Sequence, residues 1–232
     1  MIKHLFNYRW TYKVDQNLAS KRVAASSIPF YIRYLPIISE LALEKTSQDI
    51  KNKYSNMASS SYGINDENKE LVERSFKRLI DLLENHFSKF SYLFGGRPSK
   101  ADFGFWGHLY GSWMDVTARN FINQRPNLVK WLKRMVNPRI EGDSLGWSDI
   151  HLTIEPILEK EVASLFLPWS NANYVALNEK KIVFSVFLEG ISFNQTTQKS
   201  HAKSLKELRL KYNESDLKES IKPILNNSGC LK

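Results

Sequence analysis

The feature that most constrains this chain is an amphipathic run at 66–90 that leads through a glycine pair into a capping box. Val72, Phe76, Leu79, Leu83 and Phe87 recur at three- and four-residue steps, with Glu73, Lys77, Arg78 and Glu84 on the other side. An apolar stripe of that period predicts a helix with one face against the core. Tyr92-Leu93-Phe94-Gly95-Gly96 follows, and the glycines are available for the left-handed turn a helix end needs. Next come Pro98, which fixes the entry of the chain, and then Ser99 and Asp102, three residues apart. A Ser oxygen there can accept the N–H of the third helical residue, while the Asp carboxylate reaches back to the Ser N–H. Asp102 also falls in the first turn, where the helix dipole favours an anion. Phe103 is expected to pack inward. Gly104, Gly107 and Gly111 leave small surfaces along one side, and close packing on a neighbouring backbone is the expected compensation for their poor helix propensity.

Around this centre the chain reads as mainly α. Residues 1–12 are aromatic and periodic, with Leu5, Tyr8 and Tyr12 on one face, yet no capping residue precedes them. A short helix is predicted at 17–26, a break at Ser27-Ile28-Pro29, and an apolar helix at 30–42 that Pro36 kinks or restarts. Helix followed by loop is expected over 44–61, closing at Gly63. Further helices are predicted at 100–114 and 127–135, then loop at 135–148, then helix at 149–166 with a break or kink near Pro156. The tail changes character. Alternation over 181–187 and 191–194 around Glu189-Gly190 signals a β-hairpin, and helices return at 201–212 (Leu205, Leu208 and Tyr212 on one face) and at 216–225, the latter interrupted by Pro223. The expected division is a helical domain over 1–148 and an extension over 149–232 of helix, hairpin and helices packed on it.

Composition removes several function classes. At 42% hydrophobic residues the 232-residue chain is globular rather than disordered. Its longest apolar runs, such as 182–188, fall far short of the ~20 residues a membrane helix requires. Lys3, His4, Asn7 and Arg9 interrupt any signal-peptide core. A single cysteine, Cys230, excludes an internal disulfide and a CxxC knuckle, so the expected compartment is reducing and cytoplasmic. The net charge of +9 would speed encounter with anions, but the lysines are scattered and no nucleic-acid-binding pattern accompanies them. Neither membrane nor nucleic acid is an expected partner.

No constellation of catalytic residues stands out. The five histidines share no metal-ligand spacing, so no metal is expected, and no nucleophile elbow, Walker or dinucleotide motif occurs. Tyr8, Trp10 and Tyr12 could line an apolar pocket or simply pack the core. Arg9 could bind a carboxylate or complete an internal ion pair. His108 lies within the central-helix pattern, where a packed histidine is the favoured reading over a catalytic one. Trp106 and Trp113 read as core, and Cys230 as a small apolar filler rather than a reactive thiol.

The segment 92–103, Y-L-F-G-G-R-P-S-K-A-D-F, resembles the glutathione transferase C-terminal domain, where such a Ser and Asp form an N-capping box opening a buried central helix. Those roles pass by resemblance to Ser99 and Asp102. Downstream, Asp115 and the stretch 125–135, R-P-N-L-V-K-W-L-K-R-M, are similar to the family's next helix. Phe6-Asn7-Tyr8-Arg9-Trp10 resembles an F-H-Y-R-W segment of a bacterial transferase-like subgroup whose tails hold a hairpin, a lysine-bearing helix and a terminal G-C-L. Here those are 181–194, 200–212 and 229–231.

The resemblance implies a transferase C-terminal-like helical bundle with a small hairpin and terminal helices appended. In the family, a thioredoxin-like half holds glutathione and activates its thiol. No pattern for that half is found here, and it is expected to be absent from this chain. The implied function is a transferase-like protein whose helical domain supplies the hydrophobic substrate wall and dimer surfaces, and the alternative is a non-catalytic interaction or scaffold module. Tyr8, Arg9, Trp10, Tyr12 and His108 are the candidate substrate-binding residues, and no catalytic residue is assigned. Glutathione would be a co-substrate only with a thioredoxin-like half supplied. The expected partners are a second copy, a thioredoxin-like domain or chain, and a hydrophobic small molecule.

Overall fold

The computed structural model describes residues 12–60 and 62–231. Tyr8, Arg9 and Trp10 therefore lie outside the described residues. The fold is mainly α-helical with one small antiparallel hairpin, as the sequence predicts.

The amphipathic run forms α3 (Lys69–Phe87), which comes after α1 (Lys13–Ser27), a 3-10 turn at Phe30–Tyr34 and α2 (Pro36–Ser60). All five periodic apolar residues of α3 are buried, together with Leu71 and Ile80. α4 (Lys100–Trp113), the short α5 (Val116–Ile122) and α6 (Pro126–Arg134) follow. Phe87 stacks on Trp131 of α6 at 4.6 Å between ring centroids, joining the centre of the core. One continuous apolar core runs from Ile64 to Phe193 and takes in the tail elements as well. α1 and α2 form a hairpin with a separate small cluster of Ala19, Ile50 and Tyr54. α1 is tied to α5 by Asp15, whose Oδ1 accepts the N–H groups of Val116 at 2.8 Å and Thr117 at 3.3 Å. A borrowed carboxylate thus caps a helix whose own Asp115 makes no side-chain cap bond.

Four details differ from the sequence reading. Pro156 does not break its helix: α7 (Trp147–Ile157) contains it and continues into a π-helical stretch, Leu158–Phe166. The carbonyl that Pro156 leaves unpaired is that of Leu152, an exposed residue whose carbonyl water can serve. Gly95 does not end α3; with φ +98° it lies in a loop laced to 141–145 through Gly96 N–H to Asp143 O at 2.8 Å and Leu145 N–H to Phe94 O at 3.0 Å. A β-carbon on Gly96 would fall 2.5 Å from the Cα of Gly142, so this close crossing requires glycine. Phe103 faces outward, 51% exposed, and space around Gly104 and Gly107 is open. The central helix is consequently half-exposed: it buries Asp102, Leu109 and Ser112 and leaves its glycine face uncovered among the described residues. Trp106 and Trp113 are partly buried rather than core, since each indole N–H must reach a partner, Leu132 O at 3.1 Å and Asn123 Oδ1 at 2.8 Å.

α8 (Leu167–Asn178), which the sequence did not announce, leads into β1 (Val183–Leu188) and β2 (Ile191–Thr196). Leu188 pairs with Ile191 across Glu189-Gly190, both at positive φ (49° and 81°), the form a two-residue hairpin demands. Glu189 is held in that turn by Arg78 at 2.8 Å and Arg74 at 3.1 Å. Arg78 also pairs with Glu161 of the π stretch at 2.7 Å, so one guanidinium joins α3, the π stretch and the hairpin. α9 (Lys199–Glu214) and α10 (Lys218–Asn227) complete the chain, with Pro223 accommodated inside α10. On α9 Leu205 is buried, whereas Leu208 is exposed.

Candidate functional site

The capping box at the head of α4 is formed in full. Ser99 is extended (φ −112°, ψ 168°), its Oγ accepts the Asp102 N–H, and Asp102 Oδ2 accepts the Ser99 N–H at 2.9 Å and the Ser99 O–H at 2.7 Å. Asp102 Oδ1 reaches further, accepting the Leu93 N–H at 2.9 Å and the Trp131 indole N–H at 3.1 Å. This fully buried carboxylate is therefore paired on both oxygens, as a charge removed from water must be. It binds the preceding loop, α4 and α6 together. Its role is to position; both of its oxygens are occupied by the protein itself.

A second network packs behind it. His86, fully buried, bonds Thr153 Oγ1 through Nδ1 at 2.8 Å and Tyr92 O through Nε2 at 3.2 Å. A carbonyl can only accept, so Nε2 carries the proton. Burial pushes this imidazole below the usual histidine range, against the hydrogen bond to Tyr92 O that favours its charge.

A concavity of the fold lies elsewhere, between α4, the π stretch, α8, the hairpin and the start of α9. It is a cleft of about 210 Å³ with Tyr62, Leu165, Phe166, Trp169, Leu188 and Phe193 as its apolar walls and His108, Gln195, Gln198 and His201 as its polar points. Local chemistry fixes each wall. The π stretch sits between Pro156 and Pro168, and its wider turn (the Leu167 N–H reaches Val162 O) carries Leu165 and Phe166 to the cleft. Trp169, Asn173 and Ala176 form the buried face of α8 at four- and three-residue steps. Trp169 donates its indole N–H to Gln195 Oε1 at 2.8 Å, and the Gln195 amide in turn donates to Tyr62 O. Asn173 clamps the backbone of Gln198 from both sides, accepting its N–H at 2.7 Å and donating to its carbonyl at 3.0 Å. The Trp169 ring meets Phe184 and His201 edge-on, at 5.7 and 5.0 Å between centroids.

His108 is exposed at this cleft rather than packed, because its face of α4 is the uncovered one. Tyr12 does not join it. That residue lines a recess of about 10 Å³, room for roughly one water, with Asp15, Glu73, Ser112 and Asp115. There the Tyr12 hydroxyl donates to Glu73, which Lys77 also pairs at 2.6 Å. Burial would raise the Glu73 carboxyl, but the hydrogen bonds from Lys77 and Tyr12 outweigh it and hold the group below its usual range. Cys230 is half-buried and its thiol is pushed up by burial, the character of a filler. No cluster of three or more His, Cys, Asp or Glu among the described residues could hold a metal ion, and no described helix is long and apolar enough to cross a membrane.

Most of the cleft went unnoticed in the sequence because 62, 165–169, 193–198 and 201 meet only through the fold of the tail. One local signal existed: Phe193 and Gln195 share a face of β2, and a glutamine on an apolar face needs a buried partner. No curated protein and no solved structure matches the chain. The helices α3, α4 and α6 and the capping box lie within residues 66–134, which match the family model described as Glutathione S-transferase, C-terminal domain.

Proposed function

We propose that this chain acts as the acceptor-binding helical part of a glutathione transferase-like protein, holding a hydrophobic small molecule in the cleft between α4, α8 and the hairpin. The cleft carries this reading: apolar and aromatic walls with a few polar points are the composition of a small-molecule site. The family match over 66–134 supplies the class. Glutathione would then enter as a co-substrate on a thioredoxin-like domain or chain, since the described residues hold only the two-stranded sheet. A reducing, cytoplasmic setting suits the single cysteine.

The test is calorimetric titration of the purified chain with a neutral aromatic such as toluene, and separately with glutathione. Toluene is expected to bind and to lose affinity in Phe166→Ala, while millimolar glutathione gives no heat. Absence of toluene binding would end the cleft reading. Glutathione binding with conjugation of an aromatic electrophile would overturn the division of labour.

A second reading, an interaction module, is favoured by a separate observation. Phe30, Tyr31, Tyr34, Ile37, Ile38 and Leu41 are all more than half exposed along one short segment, and such apolar patches mark association surfaces. The occupant this reading names is a second copy, in line with the dimer surfaces of the implied family. Light scattering of wild type and Tyr31→Glu/Ile37→Glu decides it: a dimer that dissociates in the double variant supports association, and a monomeric wild type removes it.

A further inference from the structure

We infer that the ligand of the cleft is an uncharged molecule with one aromatic ring and a short arm; this rests on the cleft reading above and gives it a chemical class. Size is the first argument. An apolar cavity of about 150 Å³ accommodates benzene, and this cleft offers about 210 Å³. The surplus is less than half of the benzene cavity, enough for a short arm and too little for two further fused rings. The walls are the second argument. Tyr62, Phe166, Trp169 and Phe193 bring aromatic side chains to a space that holds a single ring, and Leu165 and Leu188 complete the apolar lining. Aromatic pairs gain attraction beyond the area they bury, so such walls favour an aromatic ring over a saturated ring of equal size. Trp169, Leu188 and Phe193 are almost wholly buried, so this part of the wall is fixed before a ligand enters.

The polar lining gives the third argument, because much of it is already committed. Gln195 spends both ends of its amide on the protein, accepting the Trp169 indole N–H at 2.8 Å and donating to the Tyr62 carbonyl. The Gln198 amide donates to the Thr196 carbonyl at 3.3 Å. Among the described residues no lysine, arginine, aspartate or glutamate lines the cleft, so a charged ligand would leave water without a fixed countercharge to meet it. His108 and His201 add polarity to this lining but no permanent charge. An uncharged ring avoids that cost, and its binding follows from the apolar area it withdraws from water.

The experiment takes benzyl alcohol as reference and changes one property at a time on the full chain. Cyclohexylmethanol removes the aromaticity, benzoate adds a charge, and 9-anthracenemethanol adds two fused rings. Calorimetry should give benzyl alcohol several-fold tighter binding than cyclohexylmethanol, the order of one aromatic pair, and at least about ten-fold tighter than benzoate. In a fluorescence titration 9-anthracenemethanol should not bind the wild type but should bind Phe166→Ala, in which a partly exposed wall is cut back. A gain of this kind is not produced by a variant that merely folds less well. Equal binding of cyclohexylmethanol would overturn the aromatic assignment, and equal binding of benzoate the uncharged one. Binding of 9-anthracenemethanol to the wild type, or its failure to enter Phe166→Ala, would overturn the size argument. In each of these cases toluene still binds and the cleft reading stands. Toluene binding without benzyl alcohol would overturn the arm; if neither binds, both inferences fall.

Discussion

Removing the Asp102 carboxylate should cost far more than removing the Ser99 hydroxyl, although the two belong to one capping box. In Ser99→Ala the carboxylate keeps the Ser99, Leu93 and Trp131 N–H groups, and only the Asp102 N–H loses its side-chain acceptor. That is an ordinary lost cap, about 1 kcal/mol. In Asp102→Ala the Leu93 N–H and the Trp131 indole N–H are stranded in the interior, where both residues are at most 3% exposed. Each stranded buried donor costs about 1–3 kcal/mol, and with the lost cap the total comes to about 4 kcal/mol. For a chain of this size 1 kcal/mol moves the melting midpoint by about 2–4 °C, giving about 8–16 °C for Asp102→Ala against about 2–4 °C for Ser99→Ala. Asp102→Asn should fall near Asp102→Ala, because an amide oxygen turned to Leu93 and Trp131 sets its own N–H₂ against the Ser99 N–H. Thermal and urea unfolding followed by circular dichroism measure all three. Equal shifts for Ser99→Ala and Asp102→Ala would refute the claim that this carboxylate joins three elements.

Two further outcomes test the fold behind the cleft. Gly63→Ala should destabilise by about 2–4 kcal/mol, combining the left-handed cost for a β-carbon with a contact 2.2 Å from Asn194 O at φ +64°; a melting point within 2 °C of wild type, on the scale given above, would contradict it. His86 makes stability pH-dependent in a stated direction. Its folded pKa is depressed by burial, so as pH falls below the ordinary histidine value near 6.5 the unfolded chain takes up a proton that the folded state refuses. Urea midpoints should therefore fall between pH 7.5 and 5.5, and His86→Gln should flatten that part of the curve. Identical wild-type midpoints at the two pH values would remove the argument.

The sequence shows local regularities well and distant meetings poorly. α3, the capped start of α4, and the Glu189-Gly190 hairpin were legible because each is set by residues within a few positions of one another. Asp102 is the instructive boundary case. Its bond to Ser99 follows from a three-residue spacing, but its bond to Leu93 needs the preceding loop to fold back and its bond to Trp131 exists only once α6 packs, and together they make it a hub as well as a cap. α4 shows the same limit at Phe103 and its glycines. Phe103 and the glycines were read as inward because apolar and small residues usually seek contact; which side of an amphipathic helix meets a neighbour is decided by the neighbours. Here α5 and α6 are the helices that pack on α4, with Leu109 buried and His108 on the face that opens to the cleft. The cleft itself needed the most distant meetings of all. Asn173 gripping the backbone of Gln198, and Gln195 linking Trp169 to Tyr62, span 25 to 133 residues and carry no spacing rule. Two buried amides set the shape of the cleft: Asn173 fixes the backbone at Gln198 and Gln195 joins α8 to the carbonyl of Tyr62. Walls fixed by such paired amides need little ordering when something enters the cleft, and that preorganisation matters most for a small ligand, which has little binding energy to spend on ordering the protein.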